Sequence, residues 1–121
     1  MPKNLEISFL LDFYGDMLTE KQRSMVEYYY NDDLSLSEIA ENEGITRQGV
    51  RDAIKRAEGQ LLEMEERLSL ASRFRRMQEE LETVQECAKL LKLANDRGGR
   101  IPEIEDYATR ILASAERMAE T

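Results

Sequence analysis

Apolar residues recur at helical spacing along almost the whole chain. Ile7, Leu10, Leu11, Tyr14, Met17 and Leu18 predict a first helix over residues 4–14, with Gly15 marking its end or a bend. Leu5, Phe9 and Phe13 add a second stripe to the same helix. A short helix in a small protein rarely needs two apolar stripes, so this one meets either another subunit or partner, or the chain's own C-terminal helices. A second helix starts at Thr19, which with Gln22 makes a capping box, and runs to about Tyr30, where Asn31, Asp32 and Asp33 break the pattern. Tyr28, Tyr29 and Tyr30 cannot all face one way, so at least one ring should be partly exposed with its hydroxyl wet.

The stretch from Leu34 to Val50 is the most informative. Ser35 with Glu38 is a second capping box, and Leu34 with Ile39 has the spacing of a hydrophobic staple. Ala40 supplies a small residue where two steeply crossing helices approach, and Gly44 supplies the left-handed residue that a tight turn between them needs. Thr46 caps the next helix, which Val50 and Ile54 anchor from below. Arg47, Gln48, Arg51 and Lys55 are left toward its outer side. Together these mark a helix-turn-helix over residues 35–57. In a DNA major groove the first-turn residues Arg47 and Gln48 would reach base edges, and Lys55 or Arg56 would reach phosphates. The competing reading is a helix pair used only for packing or protein contact.

Val50, Ile54, Ala57, Leu61, Met64, Leu68 and Ala71 form a heptad seam on one long helix continuing from the recognition helix. A second seam, Phe74, Met77, Leu81, Val84, Ala88 and Leu91, is shifted in phase by one residue, which predicts a break or kink near residues 68–72. Seams of this length serve a bundle core or a homodimer. Gly98-Gly99 is a loop, Pro102 opens a last helix, and Ile104, Tyr107, Ala108, Ile111, Leu112 and Ala115 give that helix a broad apolar face.

Composition narrows the chemistry. With 121 residues, 41% hydrophobic and 35% charged, the chain suits one folding unit rich in solvated helix. The net charge of -8 argues against coating nucleic acid non-specifically, so any such role needs a local basic patch. Residues 46–57 supply one, with Arg47, Arg51, Lys55 and Arg56 against Asp52, while Asp32, Asp33, Glu38, Glu41 and Glu43 precede them. Histidine is absent, and no phosphate loop, nucleophile elbow or enclosed carboxylate pair stands out, so neither enzyme activity nor a metal or other cofactor is expected. Cys87 is the single cysteine and reads as a space-filling helix residue. No segment has the length and apolarity of a membrane span and no secretory signal is evident, which points to the cytoplasm.

The chain resembles the YlxM-type helix-turn-helix proteins, encoded beside the signal recognition particle GTPase genes in many bacteria. The resemblance rests on Phe9 to Gly15, Leu18 to Arg23, the Tyr28 to Tyr30 run, Asp32 to Ala40, Ile45 to Gln48 with Val50, and Ile54-Lys55-Arg56. It covers about the first 70 residues. It implies a helix-turn-helix similar to the promoter-reading C-terminal domain of bacterial sigma factors, and a part in, or regulation of, signal recognition particle targeting. The sequence departs from the pattern at Gly49 and Arg51, where alanine and an aromatic are expected. Taken together, the expectation is an all-α protein: residues 1–67 a helix-turn-helix module with the start of a long helix, residues 68–121 a helical extension, one folding unit, assembling as a homodimer. Its expected role is a non-enzymatic regulator or accessory of the signal recognition particle pathway, binding the particle's RNA or GTPase. The alternative is a sequence-specific DNA-binding transcriptional regulator.

Overall fold

The computed structural model describes residues 1–120. Six α-helices follow one another, with no strand among the described residues: α1 (Glu6–Tyr14), α2 (Glu20–Tyr30), α3 (Leu36–Glu43), α4 (Arg47–Leu68), α5 (Leu70–Arg97) and α6 (Pro102–Ala119). A single 3-10 turn, Gly15–Met17, links α1 to α2. The chain divides into two compact units, Met1–Ala71 and the residues from Ser72 onward.

Local chemistry sets the helix ends in the first unit. Thr19 accepts from the Gln22 N–H while the Gln22 side chain accepts from the Thr19 N–H, and Ser35 and Glu38 repeat the arrangement at α3. Each satisfies two backbone donors that the first helical turn leaves unpaired. Gly44 adopts φ 67°, ψ 32°, the left-handed region that closes α3, and Thr46 then caps α4 through the Gly49 N–H at 3.0 Å.

The 22-residue α4 is the spine of this unit, and its apolar side serves two clusters. Val50 and Ile54 are fully buried with Ile39, Ala40, Met25 and Tyr29, which fixes the turn between α3 and α4. One or two turns further, Ala57 and Leu61 are fully buried against Ile7, Leu10 and Tyr14 of α1 and Val26 of α2. Each buried Val, Leu or Ile side chain among them contributes about 1.5–3 kcal/mol on burial. The first seam is thus core of the module itself, with Met64 half-buried at its edge and Leu68 about half exposed.

The expected break falls at Ser69, whose φ of 57° ends α4. Glu65 and Tyr14 hold it: the Tyr14 hydroxyl donates to Glu65 Oε1 (2.6 Å) and accepts from the Leu70 N–H (3.1 Å), and Glu65 Oε1 also accepts from the Ala71 N–H (3.0 Å). Two orphan donors at the start of α5 are satisfied in this way.

In the second unit α5 turns back into α6 through a loop clamped by Asn95. Its buried side-chain amide donates to the Ile101 carbonyl and its oxygen accepts from the Ile101 N–H, both at 2.9 Å. Lys92 reaches across to Glu105 (3.3 Å) and Thr109 (3.2 Å). The buried residues are Leu81 and Ala88 on α5, Ala108 and Ala115 on α6, and Asn95. Here the second predicted seam needs correction. Leu81 and Ala88 face inward and Phe74 is half-buried, but Met77, Val84 and Leu91 are 41–55% exposed, and the other half-buried positions are Gln78, Gln85 and Lys92. The inward stripe is rotated by part of a turn, and long polar side chains such as Lys92, which reaches Glu105 and Thr109, line it beside the buried Leu81 and Ala88. Cys87 is exposed and does not fill space.

Candidate nucleic-acid interface

The exposed side of α4 carries the residues singled out in the sequence. Arg47, Gln48, Arg51, Lys55 and Arg56 are all exposed. With Val50, Ile54 and Ala57 fixing the buried side, Arg47, Arg51 and Lys55 follow one another at four-residue intervals along one ridge, and Arg56 lies about 100° further round the helix. None of these four cations has an ion-pair partner among the described residues, a state they share with Lys21, Arg73, Arg76, Lys89, Arg97 and Arg117; what sets the four apart is that they lie together on the second helix of the motif. Gln48 Nε2 donates to Asp52 Oδ1 at 2.9 Å, which anchors its amide and leaves the amide oxygen free to accept.

Arg47, Gln48 and Arg51 come together with two residues that sequence reasoning did not find. A cleft of about 370 Å3 is lined by these three, by Leu36 at the start of α3, and by Met1. Leu36 and Met1 are half-buried against the cluster beneath. The N-terminal segment is strapped in place by the tyrosine run. The Tyr29 hydroxyl donates to the Met1 carbonyl (3.0 Å), Lys3 lies over the Tyr29 ring (4.5 Å) and pairs with Asp33 (2.6 Å), and the Tyr30 hydroxyl accepts from the Asn4 N–H (3.2 Å). The Tyr30 hydroxyl also donates to Glu58 Oε1 at 2.5 Å; its burial, and then this bond, push its pKa up to about 12. Lys3 holds the Asp33 carboxyl below the usual carboxylate range. Tyr29 is buried while Tyr28 and Tyr30 are half-buried, so all three rings serve packing, and Tyr29 and Tyr30 also hold the strap.

Gly49 sits directly beneath the cap. A Cβ there would stand 3.1 Å from Thr46 Oγ1, the atom that accepts the Gly49 N–H. Arg51 extends the basic ridge by one turn into the cleft wall.

The other predicted interface is divided. Leu5 is 84% exposed, but Phe9 and Phe13 are partly buried against the first core cluster, their ring centroids 5.1 Å apart. The three do not form one continuous exposed stripe. No group of three or more metal-ligating side chains is found among the described residues, and no helix of the structure is long and apolar enough to cross a membrane.

Residues 1–97 match the UPF0122 family, “Putative helix-turn-helix protein, YlxM / p13 like”. A UPF0122 protein of Halalkalibacterium halodurans is 48% identical over 87 residues, 72% of this chain and 80% of that relative. One from Desulforamulus reducens is 52% identical over 69 residues, 57% of this chain and 59% of the relative. A third, from Caldanaerobacter subterraneus, is 48% identical over 83 residues, 69% of this chain and 71% of the relative. Helix α6 lies beyond the residues matched to the family.

Proposed function

The chain belongs to the UPF0122 family of YlxM/p13-like helix-turn-helix proteins, and on that premise we propose that it is a non-enzymatic, nucleic-acid-binding accessory of the signal recognition particle pathway in the cytoplasm. In this reading α4 presents Arg47, Gln48, Arg51, Lys55 and Arg56 to the particle's RNA, with its GTPase as the neighbouring protein partner. One observation carries the nucleic-acid part: four exposed cations on the second helix of a helix-turn-helix, none in an ion pair with a carboxylate of the described residues. In a chain of net charge -8, cations held apart from a surplus of acids form a local phosphate-binding patch. The assignment to the signal recognition particle rests on the family resemblance.

The test is a parallel titration at moderate salt against signal recognition particle RNA, its GTPase and random duplex DNA. Selective binding of the RNA or the GTPase is the expected result. Binding of neither, with tight binding of selected duplex sites, moves the function to transcriptional regulation. That second reading is favoured by the placement of Arg47 and Gln48 in the first turn of α4, beside the left-handed Gly44 turn, as in groove-reading helices.

The proposal includes a homodimer formed through the second unit. Met77, Val84 and Leu91 on α5 and Ile111 and Met118 on α6 are exposed and spaced by seven residues, while the interior between the two helices is mostly alanine and polar. A hairpin with so thin an interior is completed by a second layer, and an identical hairpin offers the same seven-residue spacing as a four-helix bundle.

A further inference from the structure

The cleft at the start of α4 differs chemically from the rest of the basic ridge. The half-buried side chains of Met1 and Leu36 give it a small apolar floor, while two guanidinium groups and an anchored amide make most of its lining polar. At about 370 Å3 it lies near the lower end of the range of roughly 300–1,000 Å3 for small-ligand sites, room for one nucleotide but not for a run of them. We infer that the cleft takes a single unpaired nucleotide of a structured RNA, its base on Met1 and Leu36, its phosphate on Arg47 and Arg51.

The inference rests on the nucleic-acid reading of α4 and narrows it. Bases inside an intact stem are stacked and present only their edges, and the deep, narrow major groove of an RNA helix admits no α-helix, so an apolar floor has no use against a perfect duplex. A bulged or loop nucleotide exposes a ring face for that floor and a Watson–Crick edge for Gln48, whose amide oxygen is not taken up by Asp52. Planar guanidinium groups one turn apart suit a phosphate held bidentately. A ligand engaged through one or two phosphates also matches a small basic island beside the acidic α3 better than a long phosphate track does.

The experiment uses the full chain with Met1 in place, verified by intact mass, and two RNA hairpins of equal length. One is fully paired; the other carries a single bulged 2-aminopurine. Anisotropy should give about tenfold tighter binding of the bulged hairpin, the gain that taking roughly 55 Å² of apolar surface out of water supplies, with a change in 2-aminopurine fluorescence. Arg47→Ala and Arg51→Ala should remove the preference. Lys55→Ala should weaken both hairpins alike. Leu36→Trp, which fills the cleft, should also remove the preference; because Leu36 contributes to the core, its melting curve is checked, and the surface arginine variants carry the conclusion if it fails to fold. Equal affinity for both hairpins, with Arg47→Ala weakening them alike, overturns the cleft assignment and leaves the nucleic-acid reading intact. No RNA binding at all removes both.

Discussion

Gly49 and Gly59 lie on one helix and separate two effects of a side chain. Nothing stands within 4 Å of a Cβ at Gly59, so Gly59→Ala should stabilise the protein by close to the full helix-propensity difference of about 1 kcal/mol. Gly49→Ala should gain less, because the new methyl meets the capping Thr46 hydroxyl at 3.1 Å. Urea denaturation of the two variants side by side checks the ordering. Tyr30 gives a pH signature. Its folded pKa is raised, to about 12, above the unfolded value near 10, so the stability it contributes is fully present below pH 10 and is lost as pH rises toward 12. Tyr30→Phe should remove that part of the alkaline loss, measurable as the denaturation midpoint against pH. An unchanged alkaline profile in the variant would assign the loss elsewhere.

The capped helix ends could be read from the sequence because capping is local. Thr19 with Gln22, Ser35 with Glu38, Thr46 and Pro102 sit where their side chains predict, and Gly44 where its backbone freedom does. The break between α4 and α5 was legible from the phase shift of the apolar seam, but its mechanism was not, since Tyr14 and Glu65 are far apart in sequence. Tyr14→Phe should cost about 1–3 kcal/mol in thermal or urea unfolding, by leaving the part-buried Leu70 N–H without its acceptor. The α5 stripe was misread for a related reason. Periodicity locates apolar residues but not the neighbour they face, so Met77, Val84 and Leu91 entered a seam that Gln78, Gln85 and Lys92 partly occupy. The cleft is a further case: Arg47, Gln48 and Arg51 are visible in the motif, but Met1 arrives through the Tyr29 strap and no sequence pattern announces it.

Across its full length the chain joins a helix-turn-helix unit that bears most of the negative charge to an amphipathic hairpin whose last helix lies outside the residues matched to the family. If the hairpin's exposed ridge pairs with a second copy, light scattering should give twice the 14.1 kDa chain mass, and Val84→Glu with Ile111→Glu should return the monomer without unfolding the first unit. A monomer in the unaltered protein would rule out that assembly. Whether the unpaired cations of α4 are the nucleic-acid interface is decided by the salt dependence of binding to signal recognition particle RNA. The measurement compares the unaltered chain with a variant in which Arg47, Arg51, Lys55 and Arg56 are all alanine. The variant should bind more weakly and show a shallower slope of log affinity against log salt, reduced by roughly one for each phosphate it no longer neutralises. Equal affinity and equal slope for the two proteins would exclude these four residues from the interface.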